Sequence, residues 1–145
     1  MFITNHLVET DMERREILAQ FPSLRELDPA SVELLAVALD SSEASSSNVD
    51  KMVGCGVTTS LSRHGSRLLG FEFPSPYTYI SVGHALFGYI AWELRERRKS
   101  YIIIGPDLAN PAAEALLRDI GCGGGEKIAV KIDWLPPRPK SRHLP

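Results

Sequence analysis

Tyr101-Ile102-Ile103-Ile104 has no charged or small polar member and follows directly on a helical pattern over residues 84–99 that is apolar nearly all round through Leu94. A strand apolar on both sides belongs inside a covered sheet, not at a wet edge. A helix between that strand and the strand pattern of residues 66–73 makes a βαβ unit, so the chain reads as α/β. The helix is apolar enough to be buried on more than one side. Its longest apolar run, residues 84–92, falls short of the roughly 18 residues a membrane span needs, so no membrane insertion is expected.

The other elements follow from caps and periodicity. Residues 2–8 read as an opening strand. Thr10 and Glu13 make a capping-box pattern ahead of a stripe of Met12, Ile17, Leu18 and Phe21, and Ser23 with Glu26 repeats it weakly. Asp28-Pro29 reads as an N-cap and first-turn proline, opening a helix through Val32, Leu35, Ala36 and Leu39. The serine-rich stretch 41–48 is a solvated loop. Residues 51–59 and 66–73 read as strands joined around Arg63-His64-Gly65. Asn110-Pro111 opens a last helix and Gly121 closes it. Residues 126–135 alternate Ile128, Val130, Ile132 and Trp134 against Lys127, Lys131 and Asp133, a strand with one wetter face. The order is β-α-α-β-β-α-β-α-β, a mixed central sheet with helices on both faces.

At 145 residues the chain is one domain's length. We assign residues 1–135 to that single α/β domain and 136–145 to a flexible tail rich in proline and bases. The tail's Pro136-Pro137-Arg138-Pro139 could serve as a polyproline ligand for a protein partner, but short tails of this composition are common. The net charge of −2 hides an acidic first 50 residues, with ten acids and three bases, and a mildly basic remainder. That remainder suits a small anionic ligand; it carries no signal for nucleic acid, which needs a basic face with aromatic platforms. The opening Met-Phe-Ile-Thr-Asn-His lacks a basic start and apolar run, so no secretory leader is expected. Cys55 and Cys122 lie in apolar or glycine-rich company, which points to a reducing, cytoplasmic setting.

Several motifs are absent. The four histidines have no metal-ligand spacing, so no metal is expected. Gly54-Cys55-Gly56 resembles part of a dinucleotide fingerprint but lies within a strand pattern, where it reads as a flat or bulged strand. Residues 83–88 lack the Lys-Ser/Thr ending of a phosphate loop, and no Gly-x-Ser-x-Gly elbow occurs.

Residues 69–122 carry the most information. A strand ends at Phe73, a loop follows, and a buried helix begins at Gly83-His84-Ala85-Leu86. Backbone N–H groups in such a loop and first turn make a cradle for phosphate. Then come the apolar strand and the helix Asn110-Pro-Ala-Ala-Glu-Ala-Leu-Leu-Arg-Asp-Ile-Gly-Cys122. This succession resembles the GNAT superfamily of acyl-CoA-dependent N-acyltransferases, in its spacing and in the element order of the whole chain. Three positions depart from the family pattern. Thr78 stands where the family loop has Arg or Gln, Ser81 where it has its first glycine, and Leu117 where a tyrosine often protonates the departing thiolate. The usual late pair of strands also looks shortened.

The resemblance implies a fold, a co-substrate and a reaction: acetyl-CoA donating an acetyl group to an amine of unidentified class. Phe73, Thr78, Tyr79, Ser81, Val82, Gly83, His84 and Asn110 are the implied cofactor-binding positions. Glu72, the only acid between Asp50 and Glu93, is a candidate base; burial beside the acyl site would disfavour its charged form and strengthen it in that role. An edge residue facing solvent is the other reading of Glu72. Tyr77 is a candidate acid, His84 a second candidate base or phosphate cap, and Tyr77 and Tyr79 equally read as packing residues. Arg95 to Lys99 could meet a phosphate of CoA or an acidic partner, but reads more simply as a solvated helix end. The alternative to an enzyme is a non-catalytic GNAT-like or unrelated α/β domain that binds a protein partner or regulates one, which Leu117, Thr78 and Ser81 favour. Neither the acceptor nor the oligomeric state is legible.

Overall fold

In the computed structural model the described residues are 3–41, 51–74, 82–105, 108, 111–119 and 128–132. They form six strands: β1 (Ile3–Leu7), β2 (Leu34–Asp40), β3 (Met52–Ser60), β4 (Gly65–Glu72), β5 (Tyr101–Ile104) and β6 (Ile128–Lys131). Three α-helices accompany them: α1 (Asp11–Leu18), α2 (His84–Glu96) and α3 (Pro111–Asp119). The strands lie in one sheet in sequence order, every pair antiparallel except β4 and β5. That parallel pair is the βαβ unit with α2 as its crossover.

β2 corrects the expectation of a helix from Asp28-Pro29 through Leu39. The predicted cap forms, with Asp28 Oδ1 accepting from the Ala30 N–H at 3.0 Å, but it opens only a 3₁₀ turn, Pro29–Ser31. The chain then extends. Leu34-Leu-Ala-Val-Ala-Leu39 is apolar at every position, so a helical subset such as Leu35, Ala36 and Leu39 can be picked from a run that has no helical period. Between β1 and β3 the run buries both faces at once, and all seven residues of β2 are buried.

Alternate residues of β2 sort the core into two layers. Leu35, Val37 and Leu39 join Cys55 and Val57 under α1, through Ile17 and Leu18. Leu34, Ala36 and Ala38 join Leu68, Phe71, Ile102 and Ile104 under α2 and α3, through Leu86, Ile90, Leu94, Ala113 and Leu116. Helices therefore cover both faces, as expected. α2 buries one stripe (Leu86, Ile90, Ala91 and Leu94), while Ala85 and Gly88 are exposed and Phe87, Tyr89 and Trp92 are half-buried. In place of the expected burial on more than one side, the helix has one fully buried stripe, with the aromatic residues half-buried beside it. Each fully buried Leu or Ile of that stripe contributes about 1.5–3 kcal/mol. In β6, Ile128 and Val130 are half-buried with Ile132 buried behind them, while Ala129 and Lys131 are exposed, the alternation expected for this strand.

Gly54-Cys55-Gly56 lies within the central strand β3 and pairs in regular register on both sides. The irregularities flank it: Val53 of β3 is the extra residue opposite Ala38/Leu39, and Leu69 of β4 is the extra residue opposite Val57/Thr58. A Cβ at Gly56 would collide with Ile90 of α2, so the bare backbone lets helix and sheet close together.

The basic end of α2 is not uniformly solvated. Glu96, Arg97 and Arg98 are exposed, but Arg98 adopts φ 66° and turns Lys99 inward. Lys99 is 7% exposed; its Nζ meets Glu33 Oε2 at 3.2 Å and donates to Ser60 Oγ at 2.8 Å and Ser62 O at 2.6 Å. Glu33 Oε1 also accepts from Ser66 Oγ at 2.6 Å and Thr58 Oγ1 at 3.2 Å. Lys99 thus ties the end of α2 to β2, β3 and the β3–β4 turn, which takes it out of any phosphate-binding role.

Candidate active site

β4 and β5 pair only at Gly65↔Tyr101, Ser66↔Ile102 and Arg67↔Ile103. β5 ends at Ile104, whereas β4 continues through Leu68 to Glu72, still paired with β3 up to Cys55↔Glu72. The β4–β5 ladder therefore stops at Arg67, and β4 from Leu68 to Glu72 runs on without a β5 partner; this end of the two strands is the candidate site.

The two faces of β4 bring different chemistry to this end. Phe71 and Phe73 lie on the α2 side, their rings edge to face at 4.9 Å, and Phe87 of α2 meets Phe71 at 6.3 Å. Phe73 is half-buried against Gly54. Glu72 points to the α1 side beside Cys55 and is half-buried. Its Oε1 accepts from Ser23 Oγ at 2.6 Å. Burial, with the Glu72 carboxylate beside it, pushes the Cys55 thiol up, so the sulfur stays protonated and inert.

α2 begins beside the same aromatic cluster. Val82, 1% exposed, and Gly83, also buried, enter the helix through a wide π-type turn. Gly83 precedes the helix in αR geometry, and no side chain caps the helix start there. His84 follows with its side chain 69% exposed, its Nε2 3.8 Å from Asp119 Oδ2 at the end of α3. That position suits a surface contact between helix ends more than general-base work at Glu72's side of the sheet.

Of the sequence-derived site residues, Glu72, Phe73, Val82, Gly83 and His84 are described and lie around the end of β4 and the start of α2. Tyr77, Thr78, Tyr79, Ser81 and Asn110 lie outside the described residues, as do Cys122 and the tail 136–145. Leu117 packs half-buried against the α2–α3 core, so that position supplies no hydroxyl. Ser23, read from the sequence only as a weak helix cap with Glu26, is not among the sequence-derived candidates. It is 49 residues from Glu72, and no periodicity or motif links a turn serine to a strand acid.

Among the described residues no cluster of His, Cys, Asp or Glu could hold a metal ion, and no helix is long and apolar enough to cross a membrane. The chain matches no protein-family model and no curated protein sequence. Solved structures do resemble it. The aminoglycoside 6'-N-acetyltransferase from Enterococcus faecium is 15% identical with a TM-score of 0.58, over 96% of this chain and 99% of that one. The ribosomal-protein-S18-alanine N-acetyltransferase from Escherichia coli is 17% identical with a TM-score of 0.55, over 90% and 91%. A GNAT family acetyltransferase from Elizabethkingia anophelis with acetyl-CoA bound is 14% identical with a TM-score of 0.55, over 89% and 96%. At such identities the likeness is one of architecture: the chain shares the fold of these acetyltransferases.

Proposed function

We propose that the chain is an N-acyltransferase that moves an acetyl group from acetyl-CoA to an amine. The observation that carries this reading is the position of Glu72 at the end of β4, beyond the last β4–β5 pair, in a fold shared with acetyltransferases. The similar structure from Elizabethkingia anophelis contains acetyl-CoA, and the fold is shared with enzymes whose named acceptors differ widely. Fold likeness therefore supports the donor and leaves the acceptor open.

In this reading each group has one task. The amides of the loop and first turn, from Thr78 through His84, hold the pyrophosphate, and Gly83 lets it approach the backbone. Thr78, Tyr79 and Ser81 add hydroxyl donors, with Phe73, Val82 and Asn110 along the pantetheine path. A backbone N–H of β4 beyond Arg67 polarises the thioester oxygen. Glu72 takes the proton of the ammonium so that the nitrogen lone pair can attack the carbonyl carbon. A C–N bond forms, the C–S bond breaks, and the thiolate takes a proton from Tyr77 or water, which is made good by the second proton leaving the nitrogen; Leu117 has none to give. The cysteine setting fits work in the reducing cytoplasm.

The deciding measurement is thermal. Acetyl-CoA at a hundred times its dissociation constant should stabilise the fold by about 2.7 kcal/mol. Gly83→Asp, which sets a carboxylate where phosphate would approach, should abolish that shift; because Gly83 is buried, the variant's own melting temperature is read beside its response to acetyl-CoA. An unchanged wild-type melting temperature with both acetyl-CoA and CoA would overturn the reading. Tight CoA binding with no turnover on any amine would favour the non-catalytic module, for which the half-buried Leu117 speaks.

A further inference from the structure

Ser23 lies in the turns that follow α1, far from β4 in sequence, yet it touches Glu72 through a 2.6 Å hydrogen bond. The turn that delivers it is anchored. Leu24, next in the chain, is 2% exposed and covers Gly70 of β4 so closely that a Cβ there would stand 2.5 Å from Leu24 Cδ2. The same turn is wound on its own backbone, Leu24 N–H to Phe21 O at 2.9 Å, Arg25 N–H to Phe21 O at 3.1 Å and Leu27 N–H to Leu24 O at 3.0 Å. Phe21 and Leu27 pack half-buried on the α1-side core. The hydroxyl is therefore presented by a fixed segment, and Leu24–Gly70 and Ser23–Glu72 are neighbouring contacts of one turn with one strand.

Opposite the serine, the Cys55 thiol is fully buried and held neutral, so it offers Glu72 no charge partner. The two oxygens of a carboxylate are equivalent, and the group turns about its last bond. A donor held on one oxygen fixes the plane of the group and leaves the other oxygen, here Oε2, to accept a proton from a substrate.

We infer that Ser23 is a positioning residue for Glu72, holding carboxylate oxygen Oε1 so that Oε2 is the oxygen that takes the proton of the amine. The inference rests on the acyl-transfer reading above and extends it to a residue of the α1–β2 connection. Ser23 touches no reacting atom. Its effect passes through the orientation of Glu72 alone.

The test is a double-mutant cycle on the full chain, with acetyl-CoA and whichever amine the wild type acetylates fastest. Ser23→Ala should lower kcat about tenfold and leave KM for acetyl-CoA and the thermal melt unchanged, because Ser23 itself is exposed. Ser23→Thr, which keeps the hydroxyl, should restore most of the rate. In a Glu72→Gln background, Ser23→Ala should cost less than twofold, since the group it orients no longer accepts a proton. Wild-type kcat in Ser23→Ala, or the same tenfold loss in the Glu72→Gln background, overturns the positioning role while the acyl-transfer reading stands. A wild type that acetylates no amine overturns the acyl-transfer reading and the positioning role with it.

Discussion

The ring of Phe73 occupies the space above the Cα of Gly54: a Cβ added there would stand 2.5 Å from Phe73 Cε1 and 2.7 Å from Cδ1. Phe73 is the first residue beyond β4, past the last pair with β5, and Gly54 lies on β3 beside it. The missing side chain at residue 54 thus sets where the ring at this end of β4 can rest.

Gly54→Ala should push that ring out of place. An added methyl in a close-packed position costs about 1–3 kcal/mol. The fold should survive with a lower denaturant midpoint, and the stabilisation by acetyl-CoA should shrink because the displaced ring crowds the candidate site. An alanine variant with wild-type stability and wild-type response to acetyl-CoA would show that the ring moves freely.

Lys99 gives a stability prediction without a functional one. Removing one partner of a buried pair leaves the other charge desolvated, at a cost of about 3–5 kcal/mol. Lys99→Met should lose that much in urea unfolding, because Glu33 remains 13% exposed with only hydroxyl donors facing it. Arg98→Gly should be neutral or stabilise by up to about 1 kcal/mol, since φ 66° suits glycine better than arginine. Equal unfolding midpoints for Lys99→Met and the wild type would mean that the pair contributes nothing net.

The parts of this molecule that sequence made legible are those set by local chemistry. The caps at Thr10 and Asp28 form as written, with Thr10 Oγ1 accepting from the Glu13 N–H at 3.2 Å and Asp28 accepting from Ala30. The apolar strand Tyr101–Ile104 and its crossover helix lie where their patterns put them. Residues 34–39 were illegible because a strand buried on both faces has no period to read. Lys99 was illegible for a different reason: its burial depends on a left-handed Arg98 and on acceptors from β2, β3 and the β3–β4 turn. Ser23 belongs to this class too. Its partner is chosen by how the α1–β2 connection folds back over β4, which no local signal encodes.

Cys55 offers a pH test of the α1-side core. The folded state holds its thiol neutral, chiefly by burial and secondarily through Glu72, whereas the unfolded thiol ionises near its ordinary value of 9.0. The folded value is raised, so this stabilisation is complete below pH 9.0 and falls away as pH rises above it, by about 1.4 kcal/mol per unit. The stability difference between wild type and Cys55→Ala should therefore narrow between pH 8 and pH 10. A thiol reagent should label Cys55 at the rate of unfolding. Rapid labelling of the native protein at position 55, or a difference that holds constant with pH, would contradict a buried neutral thiol.

Glu72 decides whether this end of β4 is a reaction centre. It is half-buried, it carries a hydrogen bond from an anchored turn, and it stands at the last residue of β4, beyond the last pair with β5. Glu72→Gln keeps the shape and can still accept from Ser23, so the turn that follows α1 should stay in place. What the amide lacks is a site for the proton of an ammonium. Loss of a general base costs about 10²–10⁴-fold in rate. The expected result is a kcat lower by that factor, an unchanged KM for acetyl-CoA and an unchanged melting shift with CoA, which separates proton transfer from binding. Added soluble base should recover part of the rate only if the missing function is proton acceptance. Equal turnover in Glu72→Gln and wild type would remove Glu72 from the mechanism and pass the role to water, Tyr77 or His84.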